Sequence, residues 1–211
     1  MVHETNWYGN WPVVLASIIL ATFIFTIFLA RPKRIDWRSY GLTEAFIISL
    51  FTEMFGIPLT IYTLTALFKI DIPANGLTGH LLATAMAYMG LIDLETAVTI
   101  VMAISIVIIG LGLLLLIGGW YQVYQHREGV ATTGLYGLVR HPQYLGIILI
   151  MTGFVIQWPT IPTLIMYPIL LYVYHRQALK EEKFMISRYG DTYRKYMMKT
   201  PRYNLLKNLF K

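Results

Sequence analysis

Arg140, His141 and Pro142 stand together at the start of an apolar run, inside the stretch GLYGLVRHPQYLG that covers residues 134–146. Proline has no backbone N–H, fits the first turn of a helix, and pushes the residue before it out of helical geometry. A helix is therefore predicted to start at Pro142, with His141 at its N-cap and Arg140 just outside. The free N–H groups and the positive dipole end of such a helix suit an anion such as a carboxylate. The second charged group is the pair Glu181–Glu182, in LKEEKF. A helix from Pro142 to Gln157 rises about 24 Å. A return helix from Thr160 ends near His175 or Arg176, and one or two more turns reach the glutamates. A helical hairpin would thus gather Arg140, His141, Glu181 and Glu182 at one mouth. Neighbouring helical residues point about 100° apart, so only one glutamate faces the mouth squarely. The face shared with His175 and Leu179 selects Glu182.

The elements that must position these residues are those of a membrane protein. Of 211 residues, 56% are hydrophobic and only 13% are charged, against about 25% charged in soluble domains. There is no cysteine, which excludes a disulfide framework, a thiolate metal site and a cysteine nucleophile. His3, His80 and His126 are scattered, without metal-ligand spacing, and no metal is expected. The net charge of +6 clusters beside apolar runs, which points to anionic lipid and membrane orientation rather than nucleic acid. The N-terminus lacks the basic region of a signal peptide.

Pro12–Ala30, Leu42–Phe68 and the charge-free Thr96–Gly118 are the first three predicted spans. Tyr144–Gln157 and Thr160–Tyr174, around QWPT, form the hairpin. His80–Gly90 is too short to span and reads as an interfacial or re-entrant helix. The expected fold is all-α and integral to the membrane: about five spans, the last two a hairpin, with a short interfacial helix and a cytoplasmic helical tail. It is one membrane domain over 1–211, with three N-terminal spans in 1–118 and the loop, hairpin and tail in 119–211. Lys and Arg concentrate in 31–38, 121–141 and 175–211, which places the N-terminus outside and the C-terminus in the cytoplasm. Glu44 and Glu53 lie within the second span, where carboxylates are costly and either functional or paired. Glu44 lies near Arg38, a partner for it. Glu53 is a candidate base, with pairing inside the bundle as the alternative. Gly110, Gly112, Gly118 and Gly119 lie in or beside an apolar span, and read as helix packing rather than a nucleotide loop.

The two charged groups also carry a resemblance. Arg140, His141, Pro142, Tyr144 and Gly146 match the pattern Arg-His-Pro-x-Tyr-x-Gly. Glu181, Glu182, Gly190, Tyr193, Tyr196, Thr200 and Arg202 match the Glu-Glu pair and tail that follow it. Tyr189 replaces a phenylalanine, and Asn204 and Leu205 stand where the pattern has a proline. Over about 130–203 the chain resembles the isoprenylcysteine carboxyl methyltransferase family, which is related to phospholipid methyltransferases. The resemblance implies S-adenosylmethionine as cofactor. It implies that His141, Pro142, Tyr144 and Gly146 line it, with Tyr136, Glu181, Glu182 and Tyr193 around it.

The physics agrees with that role: a glutamate suits the cofactor's ammonium, and Arg140 at a helix N-terminus suits its carboxylate. Arg140 or Arg202 would face a carboxylate acceptor; Glu182 or Glu53 would serve as base for an amine. Carboxyl O-methylation of a prenylcysteine-like or other lipophilic acceptor is the leading reading, with membrane lipids as surroundings. Phospholipid N-methylation and small-thiol S-methylation follow. An NADPH-dependent sterol-type reductase is disfavoured because Ile147, not an acid, follows Gly146. A transporter lacks the repeated halves it would show.

Overall fold

The computed structural model describes residues 8–29, 37–69, 72–125 and 129–204. All regular structure among them is helical: α1 Trp11–Leu29, α2 Trp37–Phe51, one π-helical turn Thr52–Gly56, α3 Leu59–Phe68, α4 Leu81–Tyr88, α5 Leu94–Gln125, α6 Leu135–Leu138, α7 Pro142–Gln157 and α8 Ile161–Lys199. His3, His126, most of the basic loop at 31–38, the Arg38 side chain and everything beyond Asn204 lie outside the described residues.

Helix α5 is long and apolar enough to cross a bilayer, yet only 28% of its most apolar window is buried. Ile104, Val107, Leu111, Leu114 and Ile117 stand exposed along it. A core helix of a water-soluble protein would hide these side chains, so this surface suits lipid. The segments Gly41–Gly56 and Leu59–Phe68, bent by 73°, meet the same requirement if taken as one broken span. Trp11–Phe23 and α7 are shorter apolar helices. Of the five expected spans, one or two therefore reach full membrane length among the described residues.

The chain forms two compact units, each discontinuous: Met1–Ile106 with Gly153–Leu170, and Val107–Thr152 with Leu171–Lys211. In the first unit, Pro58 explains the bend. It pushes Ile57 into extended geometry, φ −120° and ψ 117°. Before that point α2 widens into the π turn, and the Ile57 N–H donates to Thr52 O at 2.9 Å. The bend is then stapled by Glu53, which is buried. Its carboxylate accepts from the Thr60 N–H at 2.9 Å and the Thr60 hydroxyl at 3.0 Å. Thr60 sits in the first turn of α3, so Glu53 satisfies an orphan donor at that helix's positive end. The Thr60 hydroxyl oxygen also accepts from the N–H of Ile161, the first residue of α8, at 2.9 Å. Glu44 accepts a hydrogen bond from the Thr22 hydroxyl. Helix α4 forms inside the expected short segment and packs Ala83 on Ala97, Val98 and Val101 of α5. His80, just before it, donates from Nδ1 to Gln157 O at 2.8 Å and lies edge-on to Trp158.

In the second unit, small residues let α5 and α7 touch backbone to backbone. A Cβ on Gly146 would lie 2.6 Å from Gly112 O, and one on Gly112 would lie 2.7 Å from Gly146 O. Gly119 faces Pro142, where a Cβ would meet the ring at 3.1 Å, and Gly118 faces Leu135. These three α5 glycines do the packing expected of them; Gly110 faces open space. Helix α8 breaks at Gly190, whose φ of 52° and ψ of −127° are open to glycine and strained for other residues. The helix resumes and brings Tyr193 and Tyr196 into burial.

Candidate active site

Helix α7 begins at Pro142, and the Leu145 N–H donates to His141 O at 3.0 Å. His141 is thus the residue whose carbonyl takes the first helical bond, which defines an N-cap. The chain leading to it is pinned upstream. Gly134 turns with φ 59° directly over Gln122, where a Cβ would lie 2.0 Å from Nε2. The Gln122 Oε1 accepts from the Leu135 N–H at 3.0 Å. Val139 is then extended and buried, which delivers Arg140 and His141 to the start of α7.

Arg140 binds the far end of α8. Its Nη1 donates to the carbonyls of Met197 and Thr200, both at 2.8 Å, and its backbone N–H donates to Pro201 O at 2.9 Å. The last carbonyls of a helix lack intrahelical partners and carry its negative dipole end, so a guanidinium there satisfies both. Arg140 Nε also donates to Glu182 Oε1 at 3.0 Å. Arg202, just past the helix, grips the same carboxylate with two parallel bonds: Nε to Oε1 at 2.9 Å and Nη2 to Oε2 at 2.6 Å. Such a fork is the strong geometry for a guanidinium and a carboxylate. His141 Nε2 lies 3.3 Å from Glu182 Oε1, and its Nδ1 lies 3.5 Å from Glu181 Oε2. The Tyr144 hydroxyl donates to Glu181 Oε1 at 2.8 Å, and the Tyr144 ring stacks on His141 at 5.5 Å.

The electrostatics follow from this crowding. Burial would push the Glu182 carboxyl up. Hydrogen bonds from His141 and Arg202 and the charges of both arginines outweigh it and hold the group far below the usual carboxylate range. Burial likewise lowers His141, and the two glutamates overcome it, so its value is raised and the imidazolium favoured. The bond to Glu182 raises Arg202. Around the clasp, burial pushes the Tyr193 and Tyr203 phenols up to about 12 and that of Tyr136 higher. These phenols stay protonated at neutral pH.

The structure therefore brings together Arg140, His141, Tyr144, Glu181, Glu182 and Arg202, all in the second unit. Both glutamates engage, because the His141 ring lies between them with one nitrogen toward each. Glu182 is the inward one, at 4% side-chain exposure against 39% for Glu181. Glu182 is the hub of these charges: it accepts from both guanidiniums and lies against the imidazole. Pro142 starts the helix. Gly146 is spent on the contact with Gly112. Tyr136 accepts from the Tyr196 hydroxyl at 2.5 Å through its carbonyl, and Tyr193 packs on Tyr196 with centroids 5.6 Å apart. Glu53 belongs to the first unit, where it caps α3. Sequence reasoning passed over Tyr203, whose ring lies 6.2 Å from that of His141 and 6.3 Å from that of His175. Its position next to Arg202 was the one signal for it. Among the described residues no cluster of His, Asp and Glu could hold a metal ion.

Residues 95–192 match the model of the phospholipid methyltransferase family. The chain is also similar to a protein-S-isoprenylcysteine O-methyltransferase of Schizosaccharomyces pombe, 29% identical over 73 residues. That match covers 34% of this chain and 31% of the relative, so the chain matches about a third of the relative's length. No solved structure matches. The family model and the relative are both named for methyltransferases.

Proposed function

We propose that this protein transfers a methyl group from S-adenosylmethionine to a lipophilic carboxylate, of the kind a prenylated cysteine presents. The observation that carries the reading is the clasp on Glu182. Arg140 and His141 from the start of α7 meet Glu182 of α8 and Arg202 of the tail, and these are the residues on which the family resemblance rests. The residues suit the cofactor: the half-exposed Glu181 carboxylate for an ammonium, the guanidiniums for a carboxylate, and the aromatic surface of His141, Tyr144 and Tyr203 for an adenine ring. When bound, S-adenosylmethionine supplies an electrophilic methyl on a sulfonium.

The protein's own part is to bind, orient and exclude water. The second unit holds its cationic groups fixed before any acceptor arrives, so a carboxylate would be bound and oriented without rearranging them. A carboxylate acceptor needs no base, and Glu182 is held ionised by its partners. An amine acceptor would have to lose a proton first. This favours the carboxylate over the phospholipid amine suggested by the family description. In this reading the chain spans the membrane about five times, with its N-terminus outside and the clasp on the cytoplasmic side, as the Lys and Arg bias requires. Polar cofactor then arrives from the cytosol.

The test is transfer of radiolabelled methyl by the purified protein to a farnesylcysteine analogue and, separately, to phosphatidylethanolamine vesicles. A methyl ester releases its label as methanol in base. N-methyl and S-methyl products keep theirs. Base-labile product from the farnesylcysteine analogue is expected. Base-stable label as the main product would overturn the carboxylate assignment, and no transfer to either class would overturn the methyltransferase.

A further inference from the structure

Tyr203 is oriented against the usual rule for its side chain. A tyrosine near water normally buries its ring and leaves the hydroxyl wet. Here the residue is partly exposed while its hydroxyl is the buried part, and that hydroxyl has no hydrogen-bond partner. Its neighbours at the clasp are satisfied. The Tyr144 hydroxyl donates to Glu181, the Tyr196 hydroxyl to Tyr136 O, and the Glu182 oxygens accept from both arginines. A buried hydroxyl with nothing to bond costs the folded protein free energy, so it calls for an explanation. The tail does not hold Tyr203 in place through that hydroxyl. Arg140 holds Thr200 O and Pro201 O, and Arg202 holds Glu182. The position is imposed by its neighbours, and the hydroxyl is carried inward by them.

We propose that the Tyr203 hydroxyl is a ligand contact: it donates a hydrogen bond to an oxygen of the bound cofactor at the face formed by His141 and Tyr203. The phenol is protonated at neutral pH, so it is a donor and seeks an acceptor oxygen, such as a carboxylate or ribose hydroxyl. The Tyr203 ring lies beside that of His141, which also stacks on Tyr144, so the covered hydroxyl belongs to the same cluster of rings that would hold the ligand. The inference rests on the reading of S-adenosylmethionine as cofactor.

The proposal makes two effects of Tyr203→Phe opposite in sign. Removing an unsatisfied buried hydroxyl relieves the ligand-free protein, so its thermal midpoint should hold or rise. Losing a neutral hydrogen bond to the ligand should weaken S-adenosylhomocysteine binding by roughly 2- to 12-fold, the range that follows from about 0.5–1.5 kcal/mol per bond. Calorimetric titration of the full chain in detergent with S-adenosylhomocysteine, alongside thermal unfolding without it, reads both. Equal affinity of wild type and Tyr203→Phe would overturn the contact. A lower thermal midpoint in the variant would also overturn it, because the hydroxyl would then have a structural partner. Absence of binding by the wild type itself would instead refute the cofactor reading on which the proposal stands.

Discussion

Glu182→Ala is the sharpest test of the clasp. The Glu182 carboxylate is 4% exposed and faces Arg140 at 3.0 Å, Arg202 at 2.6 and 2.9 Å, and His141 at 3.3 Å. Truncating one member of a buried ion pair costs about 3–5 kcal/mol, most of it from the charge left behind. Arg140 is that charge. At 9% exposure it keeps its bonds to Met197 O and Thr200 O but cannot turn to water. Arg202, at 25% exposure, can reach water when its partner is lost. Arg202→Ala should therefore cost less, on the order of 1 kcal/mol, as for pairs near the surface. A chain of this size loses roughly 2–4 °C per kcal/mol. Glu182→Ala should then lower the thermal midpoint by roughly 6–20 °C, and Arg202→Ala by a few degrees. Circular dichroism in detergent measures both. If Glu182→Ala shifts the midpoint by under roughly 3 °C, or if Arg202→Ala is as damaging, the energetics assigned to the clasp are wrong.

The remaining expectations concern protonation and packing. His141 has its value raised above 6.5 by Glu181 and Glu182, so the stability from its pairing is complete below pH 6.5 and lost as pH rises through the raised value. The thermal midpoint should fall on that alkaline limb, and His141→Gln should abolish the fall. Glu182 is shifted the other way, below its ordinary 4.5. Its contribution is complete above pH 4.5 and is lost progressively as pH falls from there toward the depressed value, so thermal melts between pH 5 and 3 should show a falling midpoint, with a shallower fall in Glu182→Gln. Gly146→Ala drives a Cβ into Gly112 O and should destabilise by about 1–3 kcal/mol. Gly110→Ala, on the same apolar helix but facing open space, should be neutral or gain up to about 1 kcal/mol of helix propensity. Equal unfolding midpoints for these two variants would rule out the close α5–α7 contact.

What the sequence made legible was local. The start of α7 could be read because a proline has few places to go, and the α5 glycines because a dinucleotide loop needs a strand that an apolar span does not supply. The meeting of Arg140 with Glu182 could be estimated from helix rise, since both ends follow from counting residues. The partners of Arg140 were not legible in that way. Two are backbone carbonyls near the end of α8, and a carbonyl leaves no mark in a sequence. Both glutamates were judged by the 100° step between their Cα positions, which ignores that one imidazole can offer a nitrogen to each. A carboxylate inside an apolar segment is costly, which makes Glu53 either a candidate base or a paired group. The π turn resolves that cost locally by supplying Thr60, and a π turn has no sequence pattern beyond the Pro58 that follows it.

The clasp also explains why residues so far apart in the chain must be present together. Arg140 caps α8, which fixes where Thr200 and Pro201 lie, and that position brings Arg202 back onto Glu182. Glu182 in turn holds Arg140. Each bond depends on another member of the same ring, so removing any one loosens the rest, and their effects should not add. The ring also sets the charge of the site. With His141 as imidazolium, two guanidiniums and one imidazolium face two carboxylates, and one positive charge is left in a partly buried setting. Such a site has a standing preference for an anion. S-adenosylmethionine brings a carboxylate of its own, and a prenylcysteine brings another. On the proposed reading the guanidiniums take such a carboxylate, while the cofactor's ammonium falls to the half-exposed Glu181.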